Sequence, residues 1–306
     1  MNDRNIAAIN AYRAILNRPL RSTQAIMQVL MVALTCNVAF CAEPIAYDAP
    51  KLICKLKNRR INESSGLAVS RRDSDLFWTH NDSGDLARIF CFDTRGKHVG
   101  TCKLKGAKSV DWEDMCSFDL NGQPKLLVAD VGDNGSKRKS CNLYLIDEPK
   151  NPKDDIKKFQ TIKLKYASGP CDCESIGVDT VNEKLLLVEK RRWISCRVFE
   201  ADFSEKARRG TVIAKRIGRL ELPLVTAMDV SPDGLRAVVL TLGQAFEYTR
   251  GVEESWTTAF SRKPRTLNMP ARKQGEAICY GANGKDLFLT SEFAPSPFFG
   301  VFATPN

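Results

Sequence analysis

Histidine is scarce in this sequence, which has two, His80 and His98, among 306 residues. The 11 cysteines show no C-x-x-C pair, and no paired histidine motif occurs. Zinc sites are built from such pairs, so a zinc site is not expected. The sequence also lacks a serine-elbow motif and a phosphate-cradling glycine loop. No motif therefore assigns the chain to an enzyme class.

A long apolar run is missing as well. The most apolar stretch, AIMQVLMVALTCNVAFCAEP, contains Gln28, Thr35 and Asn37 and is short for a bilayer-spanning helix. It follows a basic stretch and ends in Ala-Phe-Cys-Ala, as a secretory signal does. We predict that residues 1–42 are a signal peptide, cleaved after Cys41 or Ala42, and that the protein is secreted or periplasmic. An anchored N-terminal helix is the alternative.

Acidic residues are fewer than basic ones, 36 against 46, and the net charge is +10. Residues 1–41 carry four arginines and one aspartate, so cleavage would leave 42 basic and 35 acidic residues and a net charge of +7. Much of the excess falls on predicted outer strands and turns, such as KNRR and SKRK, where charge protects strand edges from aggregation. No stripe of stacking aromatics accompanies it, so nucleic-acid binding is not expected.

Nine cysteines would remain after cleavage. Export permits disulfides. The segment CFDTRGKHVGTC reads as a third strand, a turn and a fourth strand, which makes Cys91 with Cys102 the best candidate pair.

Five segments of the chain share one pattern. Each has a polar residue, an alternating strand, a turn rich in Asp, Asn and Gly, and then a continuous apolar strand. The polar residues are Glu63, Glu113, Glu174, Thr226 and Glu276, separated by 50, 61, 52 and 50 residues. This period is close to that of four-stranded propeller blades, roughly 40 to 50 residues.

The repeats predict an all-β fold, a five-bladed β-propeller with four-stranded blades, over a single domain of residues 43–306. The fifth repeat reaches the end of the sequence after its third strand, whereas LICKLKNRR, residues 52–60, resembles an outermost strand. We therefore expect residues 50–58 to pair with the strand containing Phe298 and Phe302, which closes the last blade. Six blades, or a β-sandwich with coincidental spacing, are the alternatives.

The first strand of a blade begins on the face where the second strand ends. The four glutamates should therefore share one face with the second-strand exits. We predict that this face binds a ligand through Asn81, Asp82, Asp130, Asp133, Asn134, Arg138, Glu189, Lys190, Thr226 and Glu292.

Four converging glutamates would repel one another by about 3 kcal/mol per pair at about 5 Å and an effective dielectric constant of about 20. Protonation, pairing with Lys190, Arg191 or Arg138, or a cation could compensate. Oxygen-only ligands suit Ca²⁺, which takes roughly six to eight of them. Glu63, Glu113, Glu174 and Glu276 are thus candidate Ca²⁺ ligands, and the alternative is that each binds backbone amides of a neighbouring blade.

Five motifs carry a resemblance that covers nearly all of residues 63–292. VDWEDM, VADVGDNGSKR with IDEP, DCESIGVD, VTAMDVSPDG and QGEAI resemble, in the same order, a family of secreted bacterial propellers of undefined activity. The resemblance implies the fold and the face but no reaction. The blade pattern alone is also similar to that of calcium-activated apyrases, which implies Glu63, Glu113, Glu174 and Glu276 as ligands of an axial Ca²⁺. Thr226 departs from that pattern in the fourth repeat.

Two function classes follow. In the first, the protein is a monomeric extracytoplasmic module whose acidic face binds a small molecule or a protein. In the second, it is a metal-dependent hydrolase of phosphate or other esters, in which the cation activates a water. There Asp130, Asp133 or Glu189 would act as the base, while Lys190 and Arg138 would hold the anionic group.

Overall fold

The structure is a computed structural model, and it describes residues 42–191 and 195–304. Residues 1–41 of the predicted signal peptide lie outside the described residues. Among the described residues, no helix has the length and apolar character needed to cross a membrane.

Almost all regular structure in the described residues is β-strand. The strands are, in chain order, β1 (Lys51–Lys55), β2 (Ser64–Val69), β3 (Leu76–Asn81), β4 (Arg88–Asp93), β5 (His98–Lys103), β6 (Trp112–Leu120), β7 (Gln123–Asp130), β8 (Cys141–Asp147), β9 (Gln160–Tyr166), β10 (Cys173–Asp179), β11 (Lys184–Glu189), β12 (Cys196–Asp202), β13 (Thr211–Leu220), β14 (Val225–Val230), β15 (Arg236–Thr241), β16 (Ala245–Thr249), β17 (Arg265–Leu267), β18 (Ala277–Tyr280), β19 (Leu287–Thr290) and β20 (Pro297–Val301). Two short helices, α1 (Glu205–Arg208) and α2 (Trp256–Ser261), precede β13 and β17.

Each sequence repeat folds into a four-stranded antiparallel unit. Repeats 1 to 4 are β2–β5, β6–β9, β10–β13 and β14–β17, and repeat 5 is β18–β20 completed by β1. The turns follow from the sequence: Asn121 and Gly122, at φ of 52° and 72°, form the two-residue connection of β6 to β7. Two successive positive φ angles match the right-handed twist of a hairpin, and Asn-Gly adopts them readily.

The N-terminal strand closes the last repeat as predicted. Lys51 pairs with Gly300, Leu52 with Phe299 and Cys54 with Phe298. This strand pairs along the edge of β20 and completes the four-stranded sheet of repeat 5.

The first strands of the repeats contact one another in a closed cycle, β2 with β6, β6 with β10, β10 with β14, β14 with β18 and β18 with β2. Five buried apolar clusters each draw their side chains from two successive repeats, the last joining repeat 5 to repeat 1. Sheets packed face to face around an axis formed by their first strands are a β-propeller.

One sheet connection was not predicted. The outer strands β9 and β13 pair in parallel, with Thr211 opposite Lys163 and Ala214 opposite Tyr166, so repeats 2 and 3 form one eight-stranded sheet. Alternate residues of both strands, including Leu164 and Val212, enter the same buried cluster. The shared core therefore draws the two outer edges together.

The predicted disulfide is not formed. The nine cysteines of the described residues are free thiols. Cys91 lies opposite Gly100 and Cys102 lies opposite Ile89, so the two cysteines are diagonal neighbours rather than a directly facing pair.

Candidate ligand-binding face

A β-bulge opens the first strand of four repeats. The pairing register shifts between Ser64 and Gly66, between Trp112 and Asp114, and at the same point of β10 and β14. The residues inside the bulges are Ser65, Glu113, Glu174 and Thr226, and Glu276 directly precedes β18. All five are buried at the same end of the ring. We call this end, where first strands begin and second strands end, the upper face.

Glu63 does not belong to this set. It lies two residues before the bulge of repeat 1 and is exposed, and Ser65 takes the place that Glu63 was predicted to hold. The residues two positions before the bulges of repeats 2 and 3 are Asp111 and Asp172. Glu63 is thus the counterpart of these two aspartates, and the upper face carries a second tier of carboxylates.

Glu113 and Glu174 form a buried carboxyl pair. Their side chains are in hydrogen-bond contact. Burial and the nearby charge of Glu174 raise the pKa of Glu113 well above its usual value. Burial also raises the pKa of Glu174, to about 7, although Lys190 works against this. The pair therefore holds a proton at neutral pH unless another positive charge is present.

Lys190 supplies a cation inside the predicted glutamate ring. Its Nζ lies 2.9 Å from Oε2 of Glu174. Burial alone would lower the pKa of Lys190, but the charges of Glu174 and Glu276 outweigh it and the pKa is raised. Burial raises the pKa of Glu276 to about 7, again with Lys190 acting in the opposite direction. Lys190 therefore neutralises part of the negative charge of Glu174 and Glu276.

A group of three carboxylates lies off this centre, between repeats 1 and 2. Asp82, Asp111 and Glu113 each offer an oxygen, and these oxygens lie within 4.8 Å of one another. Burial and the charge of Asp82 raise the pKa of Asp111 to about 6. Gly132 packs so closely that an added Cβ would lie 2.1 Å from Oε1 of Glu113. Backbone without a side chain therefore forms one wall of this group.

The predicted bases are held by arginines and backbone amides. Asp130 is buried, with its Oδ1 2.9 Å from the guanidinium of Arg138. The Arg138 amide donates to Oδ2 of Asp133 at 2.7 Å. Burial would raise the pKa of Glu189, but its hydrogen bonds from Arg197 lower it below its usual value. These contacts fix the loops around the upper face.

The remaining predicted residues line the same face with different exposure. The amide of Asn81 bonds Arg60, Asn62 and Asp85, so it organises the loop beside Asp82. Thr226 donates to the carbonyl of Gly275 at 2.7 Å and thereby ties repeat 4 to repeat 5. Asn134 is exposed and Glu292 is half-buried.

Sequence reasoning missed Asp111, Asp172 and Ser65. A signal was present, because Asp111-Trp112-Glu113 and Asp172-Cys173-Glu174 share an Asp-x-Glu spacing at the start of a first strand. Residues two apart in a strand point to the same side. The Asp-x-Glu spacing therefore indicates two acids at one strand start, and the register shifts place Glu113 and Glu174 inside the bulges.

No protein-family model matches the sequence, and no curated protein matches it. Among solved structures, the Dos1 propeller is similar over 79% of this chain and 68% of its own length, at 8% identity and a TM-score of 0.37. The resemblance to secreted bacterial propellers stays a prediction.

Proposed function

We propose that the protein is an extracytoplasmic five-bladed β-propeller whose upper face binds a divalent cation and, around it, a small-molecule or protein ligand. Each four-stranded repeat would be one blade. The cation would be held by Asp82, Asp111 and Glu113 rather than by a ring of four glutamates.

The environment of Glu113 is the observation that supports this. The residue is 2% exposed, and its carboxylate is directed at those of Asp82 and Asp111. Its other close side-chain partner is a further carboxyl, that of Glu174. A buried carboxylate surrounded by carboxylates is costly unless a proton or a cation neutralises it.

The chemistry of the three residues favours Ca²⁺. They offer only oxygen atoms, and Ca²⁺ accepts irregular sets of carboxylate, carbonyl and water oxygens. Glu174 and Glu276 are less suited to this role, since Lys190 already neutralises part of their charge. Glu63 is exposed and lies outside the inner tier.

The hydrolase alternative gains no support from the contacts of its three predicted bases. Arg138 holds Asp130 and Arg197 holds Glu189, while Asp133 accepts a backbone amide. The hydrogen bonds from Arg197 lower the pKa of Glu189, which makes it a weak proton acceptor. Burial raises the pKa of Asp130, but the guanidinium of Arg138 already contacts its carboxylate. We therefore favour a binding role.

Calcium titration tests the proposal. Ca²⁺ should raise the melting temperature of the purified protein, because a ligand that binds only the folded state stabilises it by mass action, about 2.7 kcal/mol at a hundredfold excess over Kd. Chelator should reverse the gain, and Asp111→Asn should remove most of it. Asp119→Asn is the matched control, since Asp119 is exposed at the other end of the strand that carries Glu113. A melt unaffected by Ca²⁺ at pH 8, where protons compete least, would contradict the proposal.

A further inference from the structure

An exposed aromatic ring stands on the upper face in the loop between β19 and β20. Phe293 is 51% exposed, and its backbone φ is 70°. Its amide donates to the carbonyl of Asn62 at 2.7 Å, which fixes the residue beside the segment that opens repeat 1. A bulky residue rarely adopts this left-handed conformation. The ring is thus held in solvent by its backbone contact rather than buried by packing.

Three carboxylates lie close to this loop. Glu292 precedes Phe293, whose amide bonds the carbonyl of Asn62 next to Glu63, and the amide of Asp82 donates to the carbonyl of Glu63 at 2.9 Å. Backbone contacts therefore bring the three residues together on adjacent loops. Within residues 42–191 and 195–304, none of them is within ion-pair distance of a basic side chain. The patch is therefore acidic, and Lys190 offsets only part of the charge around Glu292.

The chain itself places a cation on the ring. Nζ of Lys273 lies 5.7 Å from the ring centroid of Phe293. Ammonium and guanidinium groups bind aromatic faces at such distances through the negative charge of the π face. This internal contact is independent of the carboxylates, and it indicates the same class of ligand, an organic cation.

We infer that Phe293, Glu292, Glu63 and Asp82 form a docking site for a lysine or arginine side chain of a partner polypeptide. The cation would lie over the ring in place of Lys273, with the carboxylates as its counter-charges. The inference deepens the proposed function, since it names the ligand class of the same upper face. It does not require the Ca²⁺ site to be filled.

A polypeptide fits better than a small ammonium ion because the same face exposes further apolar surface. Leu86 is 61% exposed and Val110 is 53% exposed, next in sequence to Asp85 and Asp111. Such side chains offer contacts to the apolar residues that flank a basic residue in a peptide, and a free ammonium ion would not use them. The acidic patch on an otherwise basic protein would also orient a basic partner on approach.

The test uses the purified protein with chelator and two peptides, acetyl-Lys-Leu-Lys-amide and its lysine-acetylated counterpart. Calorimetry should detect binding of the basic peptide alone, and the affinity should fall as salt is raised. Phe293→Ala should weaken binding by about fivefold or more, and Phe293→Leu should do the same because the loss is of the aromatic face. Lys273→Gln should tighten binding by removing the internal competitor. Val181→Ala, an exposed apolar residue at the opposite end of repeat 3, is the control and should change nothing.

Equal binding of the two peptides would overturn the inference, as would an unchanged affinity in both Phe293 variants. Full displacement of the peptide by tetramethylammonium at equal concentration would also overturn it, because a small cation would then suffice. Calcium binding without peptide binding would leave the proposed cation site standing and remove only this inference. Peptide binding without calcium binding would support the docking site and remove the proposed cation site.

Discussion

Glu113 on β6 and Glu174 on β10 direct their carboxyl groups at each other across the junction of two repeats. Two buried carboxyls in contact cannot both be ionised cheaply, so the junction either keeps a proton or gains a cation. The consequences for pH, metal binding and stability can be measured separately.

The carboxyl pair should make stability depend on pH in the absence of metal. The folded-state pKa of Glu174 is raised to about 7 from a reference value of 4.5, so between these values the folded state binds more protons than the unfolded state. Stability from this group is therefore present below about pH 4.5 and is lost as pH rises through about 7, at about 1.4 kcal/mol per unit of pKa shift.

Comparison of variants isolates this effect. His80 acts in the opposite direction, because burial lowers its pKa and favours the folded state as pH rises. We therefore expect Glu174→Gln to lose less stability than the natural protein between about pH 5 and 8, as measured by urea unfolding with chelator. Parallel pH profiles for the two proteins would contradict the proton-sharing interpretation.

Replacement of Lys190 by methionine should make the stability of the protein depend more strongly on Ca²⁺, because the internal positive charge is lost. Glu174 and Glu276 lose their counter-charge, so stability with chelator should fall by about 1 to 3 kcal/mol at pH 8. Added Ca²⁺ should then raise the melting temperature more in the variant than in the natural protein. Lys184→Met is the control, because Lys184 lies at the other end of β11 in a more exposed pair with Glu200. Identical calcium responses would mean that Lys190 does not compete with the metal.

Gly132→Ala should damage the cation site selectively. The added methyl group would overlap Oε1 of Glu113 and the carboxyl of Asp111. We expect loss of most calcium binding, as read by calorimetry, together with a lower melting temperature. Gly218→Ala provides the comparison, since a Cβ there meets no atom within 4 Å. Normal calcium binding by Gly132→Ala would exclude Glu113 and Asp111 as ligands.

Asp114 should contribute strongly to the stability of the propeller, because it connects the first strands of neighbouring repeats. Its Oδ2 accepts the amides of Ile176, at 2.9 Å, and Met228, at 3.2 Å, so one carboxyl connects three repeats. Asp114→Asn would place an NH₂ group either against these two amides or against that of Met115, which donates to Oδ1 at 2.8 Å. We expect a loss of about 2 to 4 kcal/mol in the free energy of unfolding. The exposed Asp119→Asn on the same strand should cost less than about 0.5 kcal/mol. Chemical denaturation of both variants gives the comparison.

The sequence predicted the repeats because each has a strong local pattern of polar residue, alternating strand, turn and apolar strand. It predicted the pairing of residues 50–58 because the last repeat has only three strands of its own and needs a fourth to pair with its outer edge. The predicted position of the polar residue in repeat 1, Glu63, was wrong. A glutamate and a serine near a strand start do not indicate which residue lies in the bulge. Asn62-Glu63-Ser64-Ser65 aligns with the other repeats only once the pairing partners of Ser64 and Gly66 are known.

Contacts between distant residues could not be predicted in this way. The approach of Asp82 to Asp111 depends on how closely repeats 1 and 2 pack, which a single chain pattern does not contain. The parallel pairing of β9 with β13 has the same origin, because it reflects a core shared by two repeats.

The parallel pairing of β9 with β13 affects where the propeller opens locally. Outermost strands are usually the first to exchange their amide hydrogens with solvent, because one of their edges is free. The outer edges of β9 and β13 pair with each other, and the end of β5 is covered by Ile156, whereas β17 lies at the outer edge of its four-stranded sheet. Deuterium uptake should therefore be uneven around the circumference, slow at the rim of repeats 2 and 3 and fast at the rim of repeat 4. The outer strands of the propeller are thus expected to differ in how readily they open, although its repeats share one architecture.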